Sequence, residues 1–387
     1  MESVTPSKLK LLKPVNLLLS AVYHTEKIDT PIDFKNVKKI LVLDPTAIGD
    51  IVMLIPFLKV LKQNFTNASI TLVCQKHAKF ILNNLSLVDD FIIFKGNDCF
   101  LGIKSIIKNL DHLKETIKIV NKNEYDIAIE PRGDIRYLYF MHYMHAKRKI
   151  SYSYSGGECF LTDVFNMPKN YKDTHIIEDK LNLLKMIGCS FSEADKYPYM
   201  IKDSYLKDSF IKEHNLDGQL IVGIHPGASK KIRQYPYYGD IIKNIDRYDV
   251  FYIVFKGYNE DEAVKKIEEV LKTLDKKYIV LNESLEMYIK YVSICDLMMC
   301  NDSGAGHLSG AYGIVTYVFF GPERPAGVRP YNSENVRYIN RDLECKPCYK
   351  LECPLKEQYC FTEINTKSVA KKIDEDLSLL KENKKRG

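Results

Sequence analysis

The stretch "KKILVLDPTAIGDIVMLIPFLKVLK", residues 38–62, governs the reading of the whole chain. Its "ILVL" core is apolar at every position, without the polar alternation of a strand that has one wet face. Such a run suits a parallel strand buried on both sides. The short segment "DPTAIGD" (44–50) interrupts it, and from Ile51 onward apolar residues recur at helical spacing. Strand, loop and helix in this order are the opening of a βαβ unit.

The same alternation continues outward. "SITLVCQ" (69–75) reads as a strand, 76–84 as a helix, "VDDFIIF" (88–94) as a strand, 102–121 as a helix and "YDIAIEP" (125–131) as another buried strand. A second series starts at "LIVGIHPGAS" (220–229) and runs through "YDVFYIVFKG", "KYIVLNES", "DLMMCND" and "VTYVFFGP". Residues 191–217 are polar, which places the domain boundary there. The expected organisation is an N-terminal extension (1–37), a first Rossmann-like domain (38–200), a second (218–370) and a charged tail (371–387). A length of 387 residues agrees with two domains of about 150–200 residues each.

Hydrophobic residues make up 45% and charged residues 27% of the chain, the composition of a soluble globular protein. The net charge of +6 favours an anionic small ligand, a phosphorylated acceptor or an acidic membrane face. Nucleic acid is excluded as a partner by the dispersion of that charge and by the lack of groove-binding or base-stacking motifs. No apolar run reaches the roughly 18–20 residues of a membrane span. The N-terminal "KLKLLKPVNLLLSAVYH" (8–24) is too broken by Pro14 for a cleaved signal. It reads either as an amphipathic helix packed on the body or as a peripheral inner-membrane contact. Cys74, Cys295 and Cys300 sit in apolar segments as small buried hydrophobes of a reducing, cytoplasmic compartment.

In open parallel sheets ligands bind beyond the carboxyl ends of strands, so the strand-end loops are the candidates. "IHPGAS" (224–229) offers Gly227 and Ser229 for close backbone approach to an anion, with Lys230, Lys231 and Arg233 just after. It reads equally as a polar loop with a solvated basic face. "CNDSGAGHLSGAYG" (300–313) places Ser303, Gly304, Ala305 and Gly306 at a helix N-terminus, where free N–H groups and the dipole favour a phosphate. His307 falls in the first turn of that helix. Asp302 could be only an N-cap, but two anion-friendly loops in one domain favour a ligand site. Asp50 stands at the helix start after the first strand, either as a general base or as an ordinary first-turn acid. "EPRGDIRYLYFMHYMHAKRK" (130–149) supplies Arg132, Asp134, Arg136, Lys147 and Arg148, a set able to bind carboxylate or phosphate or to form a solvated face. The segment 345–360 carries Cys345, Cys348, Cys353 and Cys360, either free or redox-variable thiols or a structural zinc or iron site.

These loops, in this order, resemble glycosyltransferase family nine, the heptosyltransferases of lipopolysaccharide core assembly, from about residue 38 to residue 370. The segment "CNDSGAGHLSGAYGIVTYVFFGP", with Asn301, Asp302, Gly304 and His307 in register, carries most of the likeness. The resemblance implies the α/β GT-B fold, two Rossmann-like domains facing across a cleft. It implies inverting transfer of a sugar, foremost heptose from ADP-heptose or another nucleotide sugar, to an anionic glycolipid acceptor, with no cofactor required for catalysis. Asp50 matches the base that deprotonates the acceptor. Gly227, Ser229, Arg233, Asp302, Ser303, Gly304 and His307 match the donor site, with Glu260 or Glu262 on the ribose. Arg132, Arg136 and Lys147 are the acceptor candidates. A relative that glycosylates a protein such as an autotransporter, with the four Cys binding iron, or a non-catalytic GT-B binding module, are the alternatives. The chain departs from the family pattern at Asp44, where a basic residue is usual, and at Tyr235-Pro236, where Trp-Pro is usual.

Overall fold

Ile40, Leu41, Val42 and Leu43 are at most 1% exposed, as the unbroken apolar run requires of a strand covered on both faces. Burying each such side chain contributes about 1.5–3 kcal/mol, so a charge at any of them would break the sheet at its centre. The computed structural model describes residues 6–96, 103–167, 174–245, 247, 249–332, 334–348 and 350–386. They form two compact units, Met1–Pro198 and Tyr199–Gly387.

In the first unit the elements run α1 (Pro6–Val22), β1 (Lys39–Leu43), α2 (Ile48–Val52), α3 (Ile55–Asn64), β2 (Ser69–Cys74), α4 (Lys76–Leu82) and β3 (Asp90–Ile93). They continue with α5 (Ile103–Val120), β4 (Tyr125–Glu130), α6 (Ile135–His142), β5 (Ala146–Tyr152), β6 (Asp163–Phe165) and α7 (Ile176–Met186). The six strands pair in parallel in the order β3-β2-β1-β4-β5-β6.

The second unit holds α8 (Ser204–Glu213), β7 (Leu220–His225), α9 (Tyr238–Ile242), β8 (Val250–Phe255), α10 (Asp261–Thr273), β9 (Tyr278–Leu281) and α11 (Leu285–Ile294). After these come β10 (Leu297–Asn301), α12 (Gly304–Ala311), β11 (Val315–Phe320), β12 (Val336–Asn340), α13 (Tyr359–Thr362) and α14 (Thr366–Arg386). Its sheet, β12-β11-β10-β7-β8-β9, is again wholly parallel. Numbered within its own unit, it repeats the strand order of the first. Each sheet therefore reverses direction at one point, between β1 and β4 and between β7 and β10, and leaves a crevice at the carboxyl ends there.

Every strand anticipated from the two apolar series is present, while β5, β6 and β12 were not anticipated. In β5, "AKRKISY", basic residues hide the apolar face, and Arg148 pairs with Asp163 of β6 at the edge. The segment expected to be a charged tail from residue 371 is instead most of α14. Val369, Ala370, Ile373 and Leu377 recur at helical spacing and are buried in the core of the second unit. Charge content masked that stripe. Among the described residues no helix is long and apolar enough to cross a membrane.

Candidate functional site

In the first unit the two loops flanking the switch point are 44–50 after β1 and 131–136 after β4. Asp50 is the third residue of α2, 6% exposed, where the helix dipole favours a carboxylate. Asp44, directly after β1, is fully enclosed. Its Oδ1 accepts from Thr46 Oγ1 at 2.5 Å and its Oδ2 from Lys180 Nζ of α7 at 2.7 Å. Burial alone would lower the Arg132 guanidinium, but the carboxylates of Asp50 and Asp44 outweigh it and hold the group above the ordinary arginine value. Arg132 Nε is a buried donor with no hydrogen-bond partner among the described residues. His77 of α4 joins the cluster, with Nε2 2.7 Å from Thr46 O. Burial keeps its ring below the usual histidine value despite both carboxylates.

Glu130 holds the second loop in shape. Its Oε2 accepts from the N–H of Gly133 at 2.6 Å and of Arg132 at 3.1 Å, with the Ser151 hydroxyl at 2.9 Å. Complete burial nonetheless pushes its carboxyl up to about 7. Gly133 adopts φ +73°, and a Cβ there would meet Tyr152 Cβ and O at 2.8 Å, so only glycine turns the chain at this point.

Of the acceptor candidates, Arg132 alone lies beside Asp50. The Arg136 fork is engaged with Asp134, at 2.9 Å through Nε and 2.5 Å through Nη2, and so serves the N-terminus of α6. Lys147 is the second residue of β5 and pairs with Asp126, the second residue of β4, at 2.8 Å. Both belong to the amino end of the parallel sheet, opposite the edge that carries Asp50.

In the second unit the flanking loops are 226–233 after β7 and 302–304 after β10. Asn301, wholly buried at the end of β10, ties them together. Its Nδ2 donates to Pro226 O at 2.7 Å and Gly227 O at 3.1 Å, while Oδ1 accepts from Tyr235 N and Tyr238 Oη, both at 2.9 Å. A Cβ on Gly227 would lie 1.6 Å from Glu260 Oε1, so the loop and that carboxylate are in immediate contact. Glu260 Oε2 accepts from Gly257 N at 2.7 Å and is 3.5 Å from His225 Nε2. Burial works against the Glu260 carboxylate, yet the His225 ring and the Gly257 N–H hold it below its usual range. Glu262, the other ribose candidate, is exposed and pairs with Lys266 at 2.8 Å. Glu260 is therefore the acid that shares the site.

Arg233 closes the far side. Its Nη2 is 2.6 Å from Glu323 Oε1 and its Nη1 is 3.7 Å from Asp302 Oδ2. Burial raises the Asp302 carboxyl, opposed by the Arg233 charge. Ser303, not Asp302, is the N-cap of α12, with an extended backbone and no side-chain capping bond. The first N–H groups of such a helix lack intrahelical acceptors. His307 is buried in its first turn, and Ser229 is exposed on the neighbouring loop. Three buried polar atoms at this edge, His225 Nδ1, Arg233 Nε and Ser303 Oγ, have no hydrogen-bond partner among the described residues. Buried polar atoms are nearly always paired, so unpaired ones at a glycine-lined edge fit a polar ligand.

The late cysteines are free thiols. Among the described residues no three Cys, His, Asp or Glu side chains are gathered as metal ligands. Lys346 between them, unforeseen in the sequence, is buried 3.0 Å from Arg341 O, and its charge acts on Asp302.

Residues 114–359, more than half of the chain, match the sequence profile of glycosyltransferase family 9 (heptosyltransferase). The chain belongs to glycosyltransferase family 9. It is 26% identical over 353 residues to lipooligosaccharide heptosyltransferase 2 of Campylobacter jejuni, covering 89% of this chain and 98% of the relative. Among solved structures, a glycosyltransferase family 9 protein from Veillonella parvula superposes with a TM-score of 0.73 at 20% identity, over 90% of this chain and 98% of that one. The ADP-heptose lipopolysaccharide heptosyltransferase II of E. coli superposes with a TM-score of 0.70 at 17% identity, over 88% and 99%. These likenesses give the family 9 chain the GT-B fold, two Rossmann-like units, as its motifs implied.

Proposed function

We propose that the protein transfers heptose from ADP-heptose, with inversion, to a lipopolysaccharide core or related anionic glycolipid on the cytoplasmic side of the inner membrane. The observation that carries this reading is the anion cradle of the second unit. It comprises the Asn301-tied Gly227 loop, Arg233 and the N-terminus of α12, with three unpaired buried polar atoms and Glu260 on the flank. The names and extents of the relatives support heptose and a core acceptor.

In this reading the α12 N-terminus, Ser303 and Arg233 hold the diphosphate, and Glu260 accepts from a ribose hydroxyl. Asp50 removes the proton from the acceptor hydroxyl, whose oxygen forms the new bond at the anomeric carbon. The bond from that carbon to the β-phosphate oxygen breaks, and its electron pair leaves with ADP. The developing charge is met by preorganised N–H groups and Arg233. Arg132, beside Asp50, contacts anionic groups of the acceptor. No step is assigned to a metal.

Thermal-shift titration with ADP, UDP, GDP, CDP and NAD, followed by ADP-heptose turnover on a core acceptor, tests the proposal. Stabilisation by ADP above the others, with turnover, is the expected result. A preference for UDP or GDP would overturn the heptose assignment, and silence toward all five would overturn catalysis.

A further inference from the structure

The N-terminal helix is held by one face and bare on another. Asn16 fixes it to the first unit: Oδ1 accepts from Gly157 N at 2.7 Å and Nδ2 donates to Glu158 Oε2 at 3.1 Å. Leu19 and Tyr23, three and seven positions on, pack against the core. Beyond the helix, Thr25 Oγ1 donates to Cys159 O at 2.7 Å and Lys27 Nζ to Leu161 O at 2.7 Å, so the anchor extends into the following segment. Val15, Leu18 and Val22 fall at i, i+3 and i+7, a single stripe on an adjoining face. They are 45%, 70% and 77% exposed, and Leu17 is 74% exposed. A helix docked this firmly leaves four large aliphatic side chains in water on the sides away from its dock.

The charge of the helix says what covers them. Within Pro6–Val22 there are three lysines, Lys8, Lys10 and Lys13, and no Asp or Glu. Near its carboxyl end Tyr139 and Tyr143 of the adjoining α6 region are each 41% exposed. Their hydroxyls lie 3.0 Å apart, and Tyr23 Oη is 3.2 Å from Tyr143 Oη. Tyrosine, with an apolar ring and a polar tip, is enriched at bilayer interfaces. A lysine-bearing, acid-free helix with an apolar stripe lies in the plane of an anionic bilayer surface, its aliphatic side chains in the acyl boundary. The α1 helix of a second copy would offer these lysines no acidic partner, whereas an anionic lipid surface would, which favours lipid over self-association. We infer that α1, flanked by Tyr139 and Tyr143, docks the protein peripherally on an anionic membrane through Val15, Leu17, Leu18 and Val22. The inference does not depend on which sugar is transferred.

Co-sedimentation of the full chain with phosphatidylcholine vesicles, and with vesicles of equal parts phosphatidylcholine and phosphatidylglycerol, tests it. The protein is expected to bind the anionic vesicles selectively and to release as salt is raised. The double variant Leu18→Glu/Val22→Glu should bind at least about tenfold more weakly, the loss expected when two buried aliphatic contacts are replaced by charges. Lys8→Gln/Lys10→Gln/Lys13→Gln, which leaves the stripe intact, should lose the preference for anionic over neutral vesicles. Unchanged melting temperatures would show that both variants are folded; were the glutamate pair to unfold the chain, Leu18→Ser/Val22→Ser replaces it. Equal binding to both vesicle types, no binding to either, or binding unaffected by the variants would overturn the inference. So would a wild-type dimer that the stripe variant converts to monomer.

Discussion

Asp50 lies in the first turn of α2, and its carboxylate acts on the Arg132 guanidinium of the neighbouring loop. Asp50→Ala should lower turnover by roughly 10²–10⁴-fold, the usual contribution of a positioned base. The ADP-induced rise in melting temperature should be unchanged, because the donor groups lie in the other unit. Loss of ADP binding together with turnover would contradict that division. Deeper in the same cluster, Lys180 and Asp44 are an ion pair whose side chains are at most 1% exposed. Removing one member of a buried pair leaves the other without compensation, so Lys180→Met should cost about 3–5 kcal/mol in denaturant unfolding. Lys180→Met/Asp44→Leu should recover much of it, and no recovery would mean that the cost is packing rather than charge. The place of Asp50 at a helix start was legible from loop and helix, whereas its role as base follows only from the family resemblance. Lys180 was not legible, since 136 positions separate it from Asp44 and a lysine within "IIEDKLNLLKM" looks like any helix cation. His77 stayed hidden for the same reason. The cation that the family pattern leads one to expect at position 44 is instead met in space by Lys180.

At the scale of elements, the four loops singled out from the sequence are the four that flank the two switch points, because loops after buried strands are short and rich in Gly, Asp and Ser. What the sequence could not reveal is which side chains each loop spends on itself. Arg136 is consumed by Asp134, and Lys147 belongs to the amino end of its strand, a fact that needs the register of β5 on β4. Two variants probe loop shape. Gly227→Ala drives a methyl into Glu260, and should weaken ADP binding by about 5–150-fold, in line with about 1–3 kcal/mol for overpacking. Unchanged ADP affinity would remove this loop from the donor site. Glu130 sets a pH dependence. Its carboxyl rises from an ordinary 4.5 to about 7 on folding, through burial. The fold thus favours the protonated form: this contribution is full below about pH 4.5 and is lost as pH rises through about 7. The loss amounts to about 3 kcal/mol. Glu130→Gln, which keeps a neutral side chain beneath the loop, should flatten that part of the profile of urea midpoint against pH. A profile identical to wild type would show that folding does not shift the Glu130 carboxyl.

The whole molecule is built from two sheets that repeat one strand order, and each has its own core. That duplication was visible as two apolar series, whereas the extent of the second unit was not. Its limits depend on Met200 N donating to Ala311 O at 2.8 Å, and on α14 burying Ile373 and Leu377 from a segment dominated by charge. Every group that the proposed function assigns to the donor, Arg233, Glu260 and Ser303 with the start of α12, lies between those limits, as does the Gly227 loop. The fragment Tyr199–Gly387 expressed alone should therefore fold cooperatively and keep its response to ADP. At a ligand concentration of 100 times Kd this is a stabilisation of about 2.7 kcal/mol, read as a rise in melting temperature. It should transfer no sugar, since Asp50 is absent from it. Shortening the fragment before α14 should unfold it, because the helix carries part of the core rather than a solvated tail. A folded fragment blind to ADP would mean that nucleotide binding draws on the first unit as well, and the assignment of the donor site to these loops alone would fall.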